Sequence, residues 1–151
     1  MFSFKMIKQR HFEYFEGELQ LRNYTPEIID FIWNSTEKDK RSLIVKETKV
    51  GKNGLDMRFT SQAYLRIIGK RLKENFPGVL KITATLHTKK RDKELYRITV
   101  FFNHIALKKN QKILFKGDEC EVISWGKKVI LKNVKTSKKL QVRFEDLPKR
   151  L

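Results

Sequence analysis

The chain has 151 residues, of which 40% are hydrophobic, so it is long enough for one domain or two small ones and too apolar to be disordered throughout. It carries 34 Lys and Arg against 17 Asp and Glu, a net charge of +17 that is far from the near-neutral balance of an ordinary cytosolic enzyme. Both parts of the chain are basic: residues 1–103 hold 21 basic and 12 acidic side chains, and residues 104–151 hold 13 and 5. An extended polyanion is therefore the expected partner.

Several classes of protein are disfavoured by what the sequence lacks. It has no run of 18 apolar residues and no basic-then-apolar leader, so we expect a cytoplasmic protein without a membrane partner. A single cysteine, Cys120, excludes an intrachain disulfide and a cysteine-based zinc ribbon, and we expect it to be a small buried hydrophobe. The three histidines are scattered, so no metal site and no cofactor are predicted.

The chain begins with a predicted strand and then a helix. Residues 11–22 alternate in polarity, which is typical of a half-buried strand, and the side predicted to be buried holds Phe15, Gly17, Leu19 and Leu21. Thr25 is a good helix cap, and Pro26 suits the first helical position, where its missing N–H costs nothing. The buried stripe predicted for this helix is Ile28, Ile29, Ile32 and Trp33.

Two strands, a second helix and a hairpin follow. Residues 43–50 and 55–59 predict strands joined by a turn, and a second helix begins at Thr60 or Ser61 and ends before Pro77. Its predicted buried stripe is Leu65, Ile68, Leu72 and Phe76, widened by Tyr64 and Ile67. Residues 79–87 and 94–102 each alternate between apolar and polar side chains. The segment that joins them is very basic, and the pattern predicts an antiparallel hairpin. Residues 1–103 are thus interpreted as an α+β domain, one mostly antiparallel sheet with two helices on one face.

The remainder changes character. Short strands are predicted near 112–115, 119–125, 128–134 and 138–144, with close turn signals between them and no helical period. This pattern favours a small SH3-like β-barrel over residues 104–151. No Gly/Ser-rich spacer separates the two parts, so we expect a tight link between the domains.

The second helix carries the first candidate nucleic-acid contact. Arg66, Lys70 and Lys73 recur at i, i+4 and i+7, so they line one face of the helix. The ordinary interpretation is a solvated face with acidic partners, but only Glu74 lies among these cations. A polyanion would relieve their mutual repulsion, which favours contact with nucleic-acid phosphates.

Two further basic clusters lie in turns. The hairpin tip holds Lys89, Lys90, Arg91 and Lys93, which suits a phosphate backbone but could also be a solubilising loop. A turn of the predicted barrel holds Lys127 and Lys128. Trp125 precedes that turn and is either a stacking surface for a base or a residue of the core or rim.

Two rival functions are also compatible with the sequence. No grouping of catalytic residues is evident, so we expect no enzyme activity. A metal-dependent nuclease would need the carboxylates Asp118, Glu119 and Glu121. A purely protein-binding module would form contacts that are nearly insensitive to salt.

Four segments carry a resemblance to a known family. The chain resembles the nonsense-mediated-decay protein three family, the large ribosomal subunit export adaptor of eukaryotes and its archaeal relatives. The matching segments are YFEGELQLR (14–22), GLDMRFTSQAYLRIIGKRLKENFPG (54–78), LHTKKRDKELYRITVFF (86–102) and KGDECEVISWGKKVILKNVKTSKKL (116–140). The first domain is also similar to the L-twenty-two ribosomal protein of eukaryotes, and the barrel resembles part of translation factor five A.

The resemblance implies a function in ribosome biogenesis. It implies binding to ribosomal RNA on the large subunit, between the tRNA-exit region and the neighbouring stalk, in late maturation or export. A resident ribosomal or translation-elongation-like RNA-binding protein is the alternative. The family normally begins with paired CxxC zinc motifs, which this chain lacks, so a separate zinc-domain chain could supply those contacts. No leucine-rich export signal follows Phe144, which favours an archaeal-type cytoplasmic form, and we expect a monomer in solution.

Overall fold

A computed structural model describes residues 14–90 and 93–148, with the backbone alone for residues 87–90 and 93–94. The first part of the chain contains β1 (Gly17–Arg22), α1 (Pro26–Asp39), β2 (Ile44–Val50), β3 (Gly54–Phe59), α2 (Gln62–Asn75), β4 (Gly78–Lys90) and β5 (Lys93–His104). The second part contains β6 (Lys112–Phe115), β7 (Asp118–Trp125), β8 (Val129–Asn133), β9 (Lys139–Val142) and a 3-10 helix (Phe144–Asp146).

The first helix begins and ends as its local sequence dictates. The Ile28 N–H donates to Thr25 Oγ1 (3.3 Å), and Pro26 occupies the first turn, as predicted. Lys40 ends the helix in the left-handed region (φ 65°), and its N–H donates to the Thr36 carbonyl. Ile28, Ile32 and Trp33 are buried, which confirms the predicted stripe, with Ile29 packed at its edge.

The first sheet has five strands in the order β2-β3-β1-β5-β4. Neighbours pair antiparallel except at the centre, where β1 runs parallel to β5 with Leu19 opposite Val100. The predicted α+β class is confirmed, and the sheet is mixed. The parallel pair joins segments about 80 residues apart in the chain, so it requires the crossover that the intervening helices and strands provide.

Both helices pack on one face of this sheet, as predicted. Alternate residues of β1 and β5 are buried beneath them, among them Leu19, Leu21, Val100 and Phe102. Phe15 is an exception, because the strand begins only at Gly17 and the Phe15 ring lies on the other face, between two arginines. The prediction that Phe15 is buried with the leucines was therefore wrong. The predicted start of this strand, residues 11–13, lies outside the described residues.

The second sheet is antiparallel, with strand order β6-β7-β8-β9. All four predicted strands are present, but no closed barrel forms among residues 112–142, where β6 and β9 lie at opposite edges. Closure depends on strand tilt and stagger, which turn signals do not report. Cys120 is buried in the hydrophobic cluster of this sheet, as predicted, and burial raises the pKa of its thiol.

The two sheets meet where β4 and β5 reach the second part. Val79 of β4 and Ile105 pack against the hydrophobic cluster of the second sheet, and the Ile105 N–H donates to the Pro77 carbonyl (3.0 Å). β5 continues through His104, one residue beyond the predicted boundary between the two domains. That boundary, after residue 103, stays a prediction. Phe144, after β9, belongs to the same cluster, and its 3-10 helix contacts β4, so this segment lies beside the start of β4.

Candidate nucleic-acid interface

Helix α2 is held firmly on the sheet. The Tyr64 N–H donates to Ser61 Oγ (3.2 Å), so Ser61 is the cap, and the helix starts where the sequence predicts. Gly69 faces Val100 so closely that a Cβ on it would lie 2.8 Å from Val100 Cγ1. The Tyr64 hydroxyl donates to Thr36 Oγ1 of α1 (3.2 Å), and burial raises the pKa of this phenol. The side chains on the outer face of α2 are therefore presented from a rigid support.

Arg66 and Lys70 project from this outer face, and both are exposed. Where side chains are described, residues 14–86 and 95–148, neither cation forms an ion pair. Glu74, four residues after Lys70, is also exposed. Exposed cations without ion-pair partners lose little by exchanging water for a phosphate. The predicted phosphate contact of this helix face, at Arg66, Lys70 and Lys73, stays a prediction.

Lys73 is used inside the protein. It is half-buried, its ammonium donates to the Gly78 carbonyl (2.5 Å), and Nζ lies 3.8 Å from the centroid of the Phe144 ring. Burial lowers the pKa of Lys73, and the charge of Glu145 acts in the opposite direction. Lys73 therefore differs from Arg66 and Lys70 in its contacts, because its side chain connects α2 to the segment after β9.

The predicted hairpin is present, and its register is antiparallel with Leu86 opposite Tyr96 and Lys90 opposite Lys93. Lys89, Lys90 and Lys93 lie at the strand ends. Their side chains, and all of Arg91, lie outside the described residues. The proposed phosphate contacts at this tip stay a prediction.

The third predicted cluster lies in the turn between β7 and β8. Lys127 and Lys128 are exposed, and the Gly126 N–H donates to the Lys128 carbonyl (3.0 Å), which closes the turn. Trp125 packs against the hydrophobic cluster of the second sheet, so it serves the rim of that core. The three predicted clusters therefore lie on three different elements: a helix, a hairpin and a turn of the second sheet.

None of the predicted site residues whose side chains are described lies on the face of the five-stranded sheet that the helices leave open, termed here the helix-free face. On it the Phe15 ring lies between two guanidinium groups, Arg58 at 4.3 Å and Arg97 at 3.8 Å from its centroid. A second pair on the same face is Arg22 over the Phe101 ring (5.9 Å). The alternation of Arg97, Thr99 and Phe101 is visible in the sequence, but only the pairing of β5 with β1 brings it beside the other arginines.

The carboxylates named for a nuclease, Asp118, Glu119 and Glu121, all lie among the described residues and do not group closely enough to hold a metal ion. Asp118 and Glu119 are exposed at the start of β7, and Glu119 Oε1 lies 3.8 Å from Lys112 Nζ. Among the residues that the structure describes, no three His, Cys, Asp or Glu side chains group closely enough to hold a metal ion. The arrangement offers cations for anionic ligands instead.

No helix in the described part of the chain combines the length and the apolar composition needed to cross a membrane.

Comparison with known proteins identifies the family. No curated protein matches the chain. The second domain of NMD3 matches residues 14–103, which include both helices and the five-stranded sheet except for its last residue, His104. Because this match spans more than half of its 151 residues, the chain belongs to the NMD3 family.

Proposed function

We propose that this chain is a non-enzymatic RNA-binding protein that docks on the large ribosomal subunit in late maturation or export. Membership in the NMD3 family supports association with that subunit, and the net charge of +17 suits ribosomal RNA as the ligand. The proposal includes a monomer in the cytoplasm and a separate zinc-domain chain as a further partner. The expected likeness of the two parts to the L-twenty-two protein and to translation factor five A belongs to the same proposal.

The observation that carries the proposal is the outer face of α2. Arg66 and Lys70 are exposed on a helix anchored by a side-chain cap and by close packing on the sheet. An unmatched pair of cations on a rigid support binds phosphates with little loss of conformational freedom in the helix itself. The turn cations Lys127 and Lys128, and the hairpin tip at Lys89, Lys90, Arg91 and Lys93, would extend this contact to separate RNA segments.

The structure suggests a division of roles within the predicted helix face. Arg66 and Lys70 contact phosphate directly, whereas Lys73 holds the segment after β9 in place through Gly78 and Phe144. Affinity then comes mainly from electrostatics. Specificity comes from the spacing of cations on two sheets that are in contact.

The test is binding of the full chain to purified large subunits in sucrose gradients at several salt concentrations. The double variant Arg66→Gln and Lys70→Gln is expected to bind about tenfold more weakly or worse, with the log–log salt slope reduced by about 1.4–1.8 for two lost phosphates. Lys38→Gln with Lys109→Gln removes the same charge from exposed positions outside the interface and is the control.

Equal binding by both double variants would contradict the assignment of α2. The same gradients separate the two ribosomal roles, because a maturation factor sediments with free large subunits. A resident ribosomal protein would instead be found in translating polysomes.

A further inference from the structure

We propose that the helix-free face binds a single-stranded RNA segment by stacking of its bases, with one base in the cleft at the end of the face. This inference rests on the proposed function, since it takes RNA as the ligand. The face carries Arg22, Arg58, Arg97 and Lys81 against the acidic side chains Glu18 and Asp56. Both acidic groups are already paired, Glu18 with Arg58 (3.5 Å) and Asp56 with Arg22 (2.9 Å).

The guanidinium groups on this face are held in fixed positions. Arg22 donates to Asp56 and to the Leu21 carbonyl (2.8 Å), and Arg97 Nε donates to the Phe15 carbonyl (3.1 Å). Each group also lies over an aromatic ring. Planar guanidinium and aromatic groups that are ordered in advance are suited to stack on nucleic-acid bases, because little side-chain entropy is lost on binding.

The two ring sites lie along one strand. Arg97, which packs on Phe15, and Phe101 lie four residues apart on β5 and on the same face, a separation of about 13 Å at the rise of a strand. Thr99 lies between them and offers a hydroxyl for a phosphate or a ribose. A strand with stacking groups at such spacing resembles in principle the sheets that stack two or three bases of single-stranded RNA.

At the end of the face is a cleft of about 760 Å³, a size typical of ligand sites. Phe101, Lys81 and Asn103 of the sheet line one side, and Phe144 and Pro148 of the segment after β9 line the other. The cleft thus combines an aromatic ring, an apolar wall, an amide and a cation. Glu145 also lines it and repels phosphate, so the base enters the cleft while its phosphate stays near Lys81.

The chemistry of the face favours RNA over a protein partner. Arginines lie across its centre, whereas the buried centres of protein interfaces are depleted in charge. Its other exposed positions include Thr83 and Thr85 on β4, so it offers no broad aliphatic patch. Base stacking tolerates such a polar setting, because every base has an aromatic face.

The experiment measures fluorescence anisotropy of the full chain with a labelled 12-nucleotide oligouridylate and with a 12-base-pair RNA duplex. Phe101→Leu keeps most of the apolar volume and removes the ring. We expect it to weaken binding of the single strand about fivefold or more, the loss of one stacked base, and to leave the duplex affinity and the salt slope unchanged. Lys81→Gln changes an exposed side chain and is expected to lower the single-strand salt slope by about 0.7.

A matched control lies in the second sheet. Phe115 is likewise half-buried with a cation over its ring, Lys116 Nζ at 5.4 Å, and it lies outside the cleft. Phe115→Leu and Lys116→Gln are therefore expected to bind both RNAs as the unchanged protein does. Thermal melting of each variant checks folding. If Phe101→Leu unfolds, the salt slope of single-strand binding by Lys81→Gln tests the inference instead.

The outcomes separate this inference from the proposed function. If the unchanged protein binds RNA but Phe101→Leu and Lys81→Gln bind the single strand equally well, the inference is overturned and the proposed function stands. If neither RNA binds at low salt, both fall. Binding of an acidic protein that is lost in these two variants, with RNA binding intact, would assign the face to a protein partner and also overturn the inference.

Discussion

The two sides of the five-stranded sheet carry positive charge in different ways. On the helix side, Arg66 and Lys70 extend from α2 into solvent without ion-pair partners among the described side chains. On the helix-free face, the guanidinium groups of Arg58 and Arg97 lie over the Phe15 ring, and Arg58 is also paired with Glu18. Flexible cations suit a phosphate backbone, whereas fixed planar groups suit bases. The two proposed RNA contacts therefore differ in kind: phosphates at the outer face of α2 and bases at the helix-free face.

The difference follows from what lies beneath each side. The helices cover the apolar residues of the sheet, and Arg66 and Lys70 on the outer surface of α2 form no ion pair with the described side chains. The helix-free face is a single layer of strands, where side chains of adjacent strands lie about 5 Å apart and interact directly. Arginines on this face contact aromatic rings and carboxylates, and these contacts hold the arginine side chains in fixed positions.

The largest effect that would test this contrast is on stability. Val100→Ala, on the covered face, should lower the free energy of unfolding by about 2–3 kcal/mol, because it leaves a cavity under α2. Thr99→Ala, the next residue on the helix-free face, should cost less than about 1 kcal/mol. Urea denaturation measures both. Equal losses would show that the helix-free face is packed against another part of the protein in solution.

A smaller effect is expected within α2 itself. Lys73→Ala should destabilise the protein by about 1–2 kcal/mol, because it removes the stem packed on Phe144 and the donor to Gly78. Lys70→Ala, one turn earlier and exposed, should change stability by less than about 0.5 kcal/mol. Thermal or urea denaturation compares the two variants, and equal losses would contradict the internal role of Lys73.

The effect of Lys73→Ala on stability should also depend on pH, in a direction that follows from the pKa of Lys73. Burial lowers the pKa of Lys73 below 10.5, so at alkaline pH the unfolded chain holds this proton more tightly than the folded protein does. The stability contributed by Lys73 therefore rises with pH up to 10.5, and the difference between the unchanged protein and Lys73→Ala should widen. A difference that narrows between pH 8 and pH 10 would contradict this environment for Lys73.

The smallest expected effect is a coupling energy. Lys70 and Phe101 lie on opposite sides of the sheet, so Lys70→Gln and Phe101→Leu should weaken binding to large subunits independently. Their double-mutant coupling should be below about 0.5 kcal/mol. A coupling above about 1 kcal/mol in gradient binding assays would mean that both sides contact one continuous RNA element.

Much of the fold could be predicted because its signals are local. Thr25 and Ser61 cap their own helices, Pro77 follows the end of α2, and the alternation of β4 and β5 marks a hairpin. Such signals depend on contacts within a few residues, so they predict helices and hairpins without knowledge of the tertiary structure. The exposure of Arg66 and Lys70 follows from the same helical period.

The remaining features required contacts between distant segments. The parallel pairing of β1 with β5 places Phe15 between Arg58 and Arg97, residues that no local pattern connects. Lys73 lies three residues after Lys70, on the same face of α2, yet it contacts the Phe144 ring of the segment after β9. The sequence alone thus determined the elements and the charge excess. Only the tertiary structure decided which cations remain free for a ligand, because that depends on which distant carboxylates, rings and carbonyls come within hydrogen-bonding or stacking distance.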